Sequence, residues 1–126
     1  MSNPYPKTVL VVDDDSFVLS SLEKTLSSVG CSTLTASTGE EALSIAENSA
    51  ENIDMLLTDM MMPGLNGKEL AEEFLSKYPQ TRILVMSAFM CPSIGTADVF
   101  ESEKIFIQKP FTPDSLLNKM KDVMKD

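Results

Sequence analysis

The chain has 126 residues, 43% of them hydrophobic and 23% charged, and these values are ordinary for one globular domain. No apolar run approaches the roughly 20 residues that a membrane-spanning helix requires, and residues 1–7 lack the apolar core of a signal peptide. A formal net charge of −9 opposes binding to nucleic acid and to anionic membranes, and the absence of histidine removes the usual general base. We therefore expect one cytoplasmic domain over residues 1–126, ordered from about residue 7, that contacts neither nucleic acid nor membrane.

The chain begins with a buried strand, an acidic turn and a helix. The continuous apolar run Val9–Val12 is typical of a strand buried on both faces, as in a parallel sheet. It ends in Asp13-Asp14-Asp15. Ser16 can cap a helix that continues to about Val29, and Gly30 supplies the stop.

The next elements are a polar strand, a helix and a third strand. Residues 31–35 predict a second strand whose polar character suits a sheet edge. A helix follows over about residues 40–48. The third strand, Met55–Thr58, delivers Asp59, and Pro63–Gly67 then turn the chain away.

The remaining elements repeat this alternation. Apolar spacing predicts a third helix over about residues 68–78, and Ile83–Met86 form a fourth strand that delivers Ser87. Pro92 and Gly95 interrupt residues 88–103, where we expect only a short helix near residues 96–100.

The fifth strand and the last helix complete the alternation. The strand, Ile105–Gln108, delivers Lys109 and Pro110. Pro113 suits the first position of the last helix, because its fixed φ angle is already helical.

Five strands alternating with helical patterns predict a doubly wound α/β sandwich. We adopt the flavodoxin-like strand order 2-1-3-4-5, in which ligands bind outside the carboxyl ends of the parallel strands. That order leaves the second strand, which ends in no candidate side chain, at the edge. It gathers the candidates from the other four strand ends: Asp13, Asp14, Asp59, Ser87 and Lys109.

A cluster of Asp13, Asp14 and Asp59 needs compensating positive charge. Two unit charges about 4 Å apart repel by about 4 kcal/mol at an effective dielectric constant of 20. Lys109 supplies one positive charge, and a divalent cation would supply the rest. Carboxylate oxygens without histidine or paired cysteine favour a hard ion, so we expect Mg²⁺, with Mn²⁺ as a substitute.

A carboxylate beside a cation, a lysine and a hydroxyl is typical of a phosphoryl acceptor. Asp59 can attack phosphorus directly, while Lys109 and Ser87 stabilise the charge that spreads over the phosphoryl oxygens. No general base is positioned to activate water, so we expect a long-lived aspartyl phosphate rather than rapid hydrolysis.

The segments around these residues resemble the signatures of bacterial response-regulator receiver domains. The similar segments are Val11–Asp14, Thr58–Gly64, Met86–Ala88 and Gln108–Phe111, in the family's order and spacing. Residues 57–70 and 106–117 are most similar to the receiver domains at the carboxyl end of hybrid sensor histidine kinases.

The resemblance implies a role for each site residue. Asp59 would accept a phosphoryl group from a histidine kinase or histidine phosphotransfer protein, in contact with Ser87 and Lys109. Asp14, Asp59 and the Met61 backbone carbonyl would hold Mg²⁺, with Asp13 acting mainly through water. The Lys109–Pro110 bond would be cis.

The expected output is a changed surface rather than a released product. Phosphorylation would draw Ser87 and Phe106 inward and change the face formed by the fourth helix, fifth strand and last helix, through which the domain can also dimerise. Phe106 can equally be an ordinary sheet-edge aromatic. The domain would not be an enzyme beyond slow self-phosphorylation from small donors and autodephosphorylation.

The sequence departs from the family pattern at several positions. Ser87 replaces the commoner Thr, Asn66 replaces the frequent Asp before Gly67, and the Gly-Ala pair usual before the fifth strand is missing.

The run Met60–Met62 is interpreted as gap-filling packing rather than a soft-metal site. We also hypothesise that Met61 and Phe89 flank Asp59 and shield the phosphoryl group from water.

Two alternatives remain open. A magnesium-dependent phosphohydrolase could use Asp59 as its nucleophile, although Met60–Met62 supply no nearby acid or base. A receiver-like adaptor that is never phosphorylated is the other alternative, although the five candidate side chains are all present.

Overall fold

A computed structural model of the chain describes residues 4–49, 53–87 and 106–124. Within them, five strands and four helices alternate except between the fourth and fifth strands, where the chain passes outside the described residues. The elements are β1 (Thr8–Val12), α1 (Ser16–Ser27), β2 (Ser32–Ala36), α2 (Gly39–Ser49), β3 (Met55–Asp59), α3 (Gly67–Lys77), β4 (Arg82–Ser87), β5 (Phe106–Gln108) and α4 (Pro113–Met124).

The strands form one sheet in the order β2-β1-β3-β4-β5, and every neighbouring pair is parallel. The predicted doubly wound, flavodoxin-like α/β fold and its strand order are therefore confirmed. The central strand β3 is buried along its whole length, whereas the edge strand β2 is largely accessible. This difference follows the sequence, because β3 begins Met-Leu-Leu and β2 is rich in Ser and Thr.

Alternating side chains of the central strands build two separate cores. On β1, Val9 and Val11 pack with the buried residues of α1 and α4, whereas Leu10 and Val12 pack with those of α2 and α3. The same alternation continues on β3 and β4, since successive side chains of a strand point to opposite faces. Within the described ranges, the sheet therefore has an apolar layer and a pair of helices on each face.

The first helix begins with a different cap from the one predicted. The N-cap is Asp15, whose carboxylate accepts a hydrogen bond of 2.9 Å from the Phe17 N–H, and Ser16 is the first helical residue. Asp15 therefore satisfies an amide that the helix leaves unpaired.

The ends of the helices follow from local chemistry. The helix α1 stops at Ser27, two residues before the predicted end, and Gly30 then adopts a φ angle of 87°. At the start of α3, Asn66 and Glu69 form a reciprocal capping box. The predicted short helix near residues 96–100 and the first residue of the predicted fifth strand lie outside the described residues.

Among the described residues, no helix combines the length and the apolar composition needed to cross a membrane.

Candidate functional site

The carboxyl edge of the sheet brings together side chains from four strands. Asp59 is the last residue of β3 and Ser87 the last residue of β4, and both are buried. Asp13 directly follows β1, and Lys109 directly follows β5. Because neighbouring parallel strands end at the same edge, residues separated by up to 96 positions in sequence become neighbours.

Backbone hydrogen bonds continue past the strand ends and fix this edge. The Asp13 N–H donates to the Ala36 carbonyl at 3.1 Å, and the Lys109 N–H donates to the Ser87 carbonyl at 2.7 Å. The Met60 N–H, just after Asp59, donates to the Met86 carbonyl at 2.8 Å. The candidate side chains therefore project from backbone that the sheet holds in place.

The Lys109 ammonium lies between two carboxylates. Its Nζ is 3.2 Å from Asp59 Oδ1 and 3.4 Å from Asp13 Oδ2. The Lys109 side chain is 29% exposed, whereas those of Asp13 and Asp59 are almost fully covered. Little water is available to screen these pairs, so both should be stronger than a surface ion pair.

Burial and a neighbouring charge both destabilise the ionised form of Asp13. Desolvation raises the pKa of Asp13, and the Asp59 carboxylate raises it further. A hydrogen bond of 2.9 Å from the Asp15 N–H to Asp13 Oδ1 and the Lys109 ammonium oppose this shift without cancelling it. The site therefore carries excess negative charge in the absence of a cation.

The charge of Lys109 is stabilised by the same two carboxylates. Desolvation lowers the pKa of Lys109, but Asp13 and Asp59 together outweigh this effect, so the pKa lies above its ordinary value of 10.5. Lys109 therefore stays protonated at neutral pH and remains a permanent positive charge at the site.

We expect Asp13→Asn to stabilise the metal-free protein by about 1 kcal/mol, within the range of substitutions that relieve unfavourable charge. Folding raises the pKa of Asp13, so the protonated form of this side chain stabilises the folded state. This contribution is complete below pH 3.8 and is lost as the pH rises through the folded-state pKa. Asparagine removes that loss and keeps an oxygen that can accept the hydrogen bond from the Asp15 N–H.

Urea denaturation in EDTA, at neutral pH and near pH 4, measures this effect. Asp15→Asn is the matched control, because asparagine is as good an N-cap as aspartate and should leave stability unchanged. If Asp13→Asn were less stable than the wild type at neutral pH in EDTA, this would contradict the statement that the metal-free site carries excess negative charge.

The donor set suits a hard divalent cation. One carboxylate oxygen from each of Asp13, Asp14 and Asp59 lies within 4.8 Å of the others, and Asp14 is the exposed member. Three carboxylates against one ammonium leave an uncompensated charge of −2, and oxygen-only ligands match the preference of Mg²⁺. The described residues therefore form an acidic pocket that fits such an ion.

The loop after β3 holds Met61 away from the core. Met62 and the partly buried Met60 pack with the core on the α2 and α3 face, as the gap-filling interpretation predicts. Met61 is 66% exposed, so that interpretation is wrong for this residue. Sequence periodicity could not predict which of the three consecutive methionines is exposed, because the backbone of the loop decides this.

Three further predictions concern Phe106, the Lys109–Pro110 bond and Phe89. Phe106 is buried at the start of β5 and joins the core on the α2 and α3 face. The Lys109–Pro110 bond is cis, as the resemblance implied. Phe89 lies outside the described residues, so its predicted place beside Asp59 stays a prediction.

The sequence reasoning missed two supporting residues. The Asp15 N–H orients Asp13, and Gly67 lies against the backbone of Asp59 and Met60. An Asp directly before Ser16 is a recognisable cap signal, and a Gly opening a helix after a strand and loop signals close backbone approach.

Comparison with known protein families identifies this arrangement. A family model described as the response regulator receiver domain matches residues 9–121. The chain belongs to this family. The receiver domain is thus a component of two-component signalling, and the acidic pocket lies among its matched residues.

A curated relative gives the same assignment. The response regulator MprA of Mycobacterium sp. (strain KMS) is 34% identical over 120 residues, which are 95% of this chain and 51% of that protein. The receiver domain therefore spans about half the length of the curated relatives it matches first.

Solved structures share the fold. CheY in the CheX–CheY–BeF3–Mg complex from Borrelia burgdorferi superposes with a TM-score of 0.82 and 26% identity, over 99% of this chain and 100% of that one. The receiver domain of the hybrid histidine kinase CckA gives a TM-score of 0.77 and 29% identity, over 94% and 99% of the two chains. The similarity to hybrid-kinase receivers that the sequence indicated thus has a structural counterpart.

Proposed function

We propose that Asp59 accepts a phosphoryl group from a phosphohistidine of a histidine kinase or histidine phosphotransfer protein. The main observation in support is the Lys109 ammonium, which contacts both Asp13 and Asp59 at the carboxyl edge of the sheet. It gives one carboxylate a fixed cationic neighbour where charge would accumulate during phosphoryl transfer.

In the proposed step, an Asp59 carboxylate oxygen attacks phosphorus and forms a new P–O bond. The P–N bond to the donor imidazole breaks, and the imidazole nitrogen keeps the electron pair and takes a proton from water. The Lys109 ammonium neutralises negative charge on the phosphoryl oxygens, and the Ser87 hydroxyl donates a hydrogen bond to one of them. No proton has to be removed from Asp59, so the step requires no general base.

We propose that Asp13, Asp14, Asp59 and the Met61 backbone carbonyl hold Mg²⁺, with Mn²⁺ as a substitute. Asp13 would act mainly through water. A bound ion would add positive charge at the phosphoryl oxygens. The solved complex that contains CheY, BeF3 and Mg supports this assignment by analogy with that protein.

A groove beside Lys109 offers a surface for the donor protein. It has a volume of about 370 Å³ and lies between α1 and the loop before α4, with Phe17, Leu22, Pro110 and Phe111 among its lining residues. Phe17 is 84% exposed at the start of α1, so it provides apolar contact area beside the site. We infer that the phosphohistidine approaches from this side.

The proposed output is a change in the surface near β5 and α4. Ser87 ends β4, whereas Phe106 begins β5 and pairs with Val85, two residues before Ser87. In the proposal, a shift of Ser87 towards a phosphoryl group is passed along β4 to Val85 and so changes the packing of Phe106. Homodimerisation through this face, which includes residues outside those described, is part of the proposal.

We further propose that residues 1–126 act as one receiver domain in the cytoplasm without contacting nucleic acid. The family match to residues 9–121 and the net charge of −9 support these statements. The only chemistry of its own would be slow self-phosphorylation from small donors and slow autodephosphorylation.

We expect incubation with acetyl phosphate and Mg²⁺ to add one phosphoryl group to the wild type and none to Asp59→Asn. Asparagine has nearly the same shape, so its failure would report the missing nucleophile rather than a lost fold. Intact mass, with and without EDTA, measures the gain.

The same measurement separates the alternatives. No gain in the wild type would favour an adaptor that is never phosphorylated. Sustained release of phosphate from many organic phosphates would favour a phosphohydrolase.

A further inference from the structure

Three consecutive methionines next to the acceptor differ sharply in accessibility. Met62 is 8% exposed and Met60 is partly buried, whereas Met61 between them is 66% exposed. Met61 and Phe17 are the two exposed large hydrophobic residues recorded in the described part of the chain. An accessible thioether is thus placed two residues after Asp59.

The surrounding backbone keeps Met61 outside. The Met60 N–H donates to the Met86 carbonyl, and the Met60 carbonyl accepts a hydrogen bond of 2.9 Å from the Gly67 N–H. Met62 packs in the core. Because residues on both sides of Met61 are anchored, its side chain cannot turn inward without breaking these contacts.

We propose that Met61 is a site of reversible oxidation by hydrogen peroxide or organic hydroperoxides, and that oxidation shortens the lifetime of the phosphoryl group on Asp59. The effect on lifetime rests on the proposed function, whereas the oxidation itself does not. Oxidation of Met61 makes the lifetime of the phosphorylated domain sensitive to peroxide.

The chemistry is a two-electron oxygen transfer. The thioether sulfur gives an electron pair to one peroxide oxygen, an S–O bond forms and the O–O bond breaks. The leaving hydroxide, or the alkoxide of an organic hydroperoxide, takes the proton of the transferred hydroxyl and becomes water or an alcohol. Sulfur is thereby oxidised and the peroxide is reduced. Methionine sulfoxide reductases reverse the change.

The consequence follows from the polarity of the product. A thioether is a weak hydrogen-bond acceptor, and Met61 stands two residues after Asp59 with its side chain exposed. In the proposal this side chain covers the phosphoryl group on Asp59. A sulfoxide is polar and binds water, so oxidation replaces an apolar cover by a hydrated one. Water closer to the aspartyl phosphate should hydrolyse it faster.

The neighbouring methionines provide internal controls. Met55, Met86 and Met120 are fully buried, and Met124 is partly buried at the end of α4. Exposure controls methionine oxidation, so Met61 should react before all of them.

The first test is residue-resolved mass spectrometry after a timed peroxide pulse that is stopped with catalase. Among the seven methionines of the described residues, we expect Met61 to be oxidised about tenfold faster than Met60 or Met62. Equal rates at the three positions would overturn the assignment of the site.

The second test is the decay of the aspartyl phosphate after removal of the donor. We expect peroxide to shorten the lifetime severalfold in the wild type and in Met60→Leu/Met62→Leu, and methionine sulfoxide reductase to restore it. Met61→Leu, compared with itself before and after peroxide, should not respond. Met61→Gln, with a permanently polar side chain, should show a short lifetime without peroxide.

The two possible failures are distinguishable. If the untreated wild type takes up no phosphoryl group, the proposed function fails, and peptide mapping still decides whether Met61 is oxidised. If Met61 is oxidised selectively and the phosphoryl lifetime does not change, the regulatory effect is disproved while the acceptor role stands.

Discussion

Lys109→Met should lower the rate of phosphorylation by about 10²- to 10³-fold, the range found when one preorganised donor is removed from a transition state. Methionine keeps much of the length and volume of lysine and removes the positive charge. The Lys109 ammonium lies 3.2 Å from Asp59 Oδ1, so it is already in place where negative charge would accumulate in the proposed transfer.

The same substitution should also change how stability depends on Mg²⁺. Without Lys109, the carboxylates of Asp13 and Asp59 face each other uncompensated in a largely covered site. Breaking a buried pair is costly because a charge is left without a partner, so the metal-free variant should be less stable than the wild type. A cation that binds the folded form should return much of this stability, by about 2.7 kcal/mol at 100 times its dissociation constant.

The measurements are the initial rate of phosphorylation from acetyl phosphate at saturating Mg²⁺ and urea denaturation with and without the ion. Lys77→Met is the matched control, because Lys77 pairs with Glu73 at 3.4 Å on the exposed side of α3. Such a surface pair contributes little, so this variant should behave as the wild type in both measurements. A Lys109→Met protein that is phosphorylated at the wild-type rate would remove Lys109 from the proposed mechanism.

The sequence predicted the sheet because its strands have unambiguous patterns. The runs Val9–Val12 and Met55–Thr58 are apolar and flanked by turn residues, so strand type and burial follow directly. The polar strand β2 could be assigned to an edge for the same reason. The strand order itself required knowledge of flavodoxin-like sheets, because local patterns do not specify which strands become neighbours.

The site could be predicted because parallel strands collect whatever follows their carboxyl ends. Asp59 and Ser87 end their strands, and Asp13 and Lys109 directly follow theirs, so all four are placed at one edge by topology more than by detailed packing.

The local backbone features around the site were harder to predict than the site itself. The exposure of Met61 depends on hydrogen bonds of Met60 to two distant backbone groups. The cap at Asp15 depends on which of two adjacent capping residues takes the extended conformation. Composition and periodicity contain neither fact.

Gly67→Ala should destabilise the protein by about 2 kcal/mol and impair phosphorylation. A Cβ at this position would overlap the Asp59 carbonyl oxygen and lie 2.8 Å from Met60 Cα. Both obstacles are backbone atoms, so a change of side-chain rotamer cannot relieve them. The start of α3 and the end of β3 would have to separate, which would displace Asp59 and the loop that carries Met61.

The predicted loss of stability is informative because helix propensity alone would make Gly67→Ala more stable. Gly67 is the first residue of α3, and replacing glycine by alanine inside a helix can contribute up to about 1 kcal/mol. A net loss of stability would therefore mean that the steric cost exceeds this gain. Gly67 is also not among the glycines with positive φ, so the cost comes from contact rather than from backbone strain.

Gly64→Ala separates the two effects. Gly64 has a φ angle of 74°, but its Cβ would meet only the Glu40 carboxylate, at 3.4 Å. This variant should lose about 1 kcal/mol through backbone strain and still be phosphorylated. If Gly67→Ala were as stable as Gly64→Ala and took up the phosphoryl group at the wild-type rate, close contact between α3 and the Asp59 backbone would not be what holds Asp59 in position.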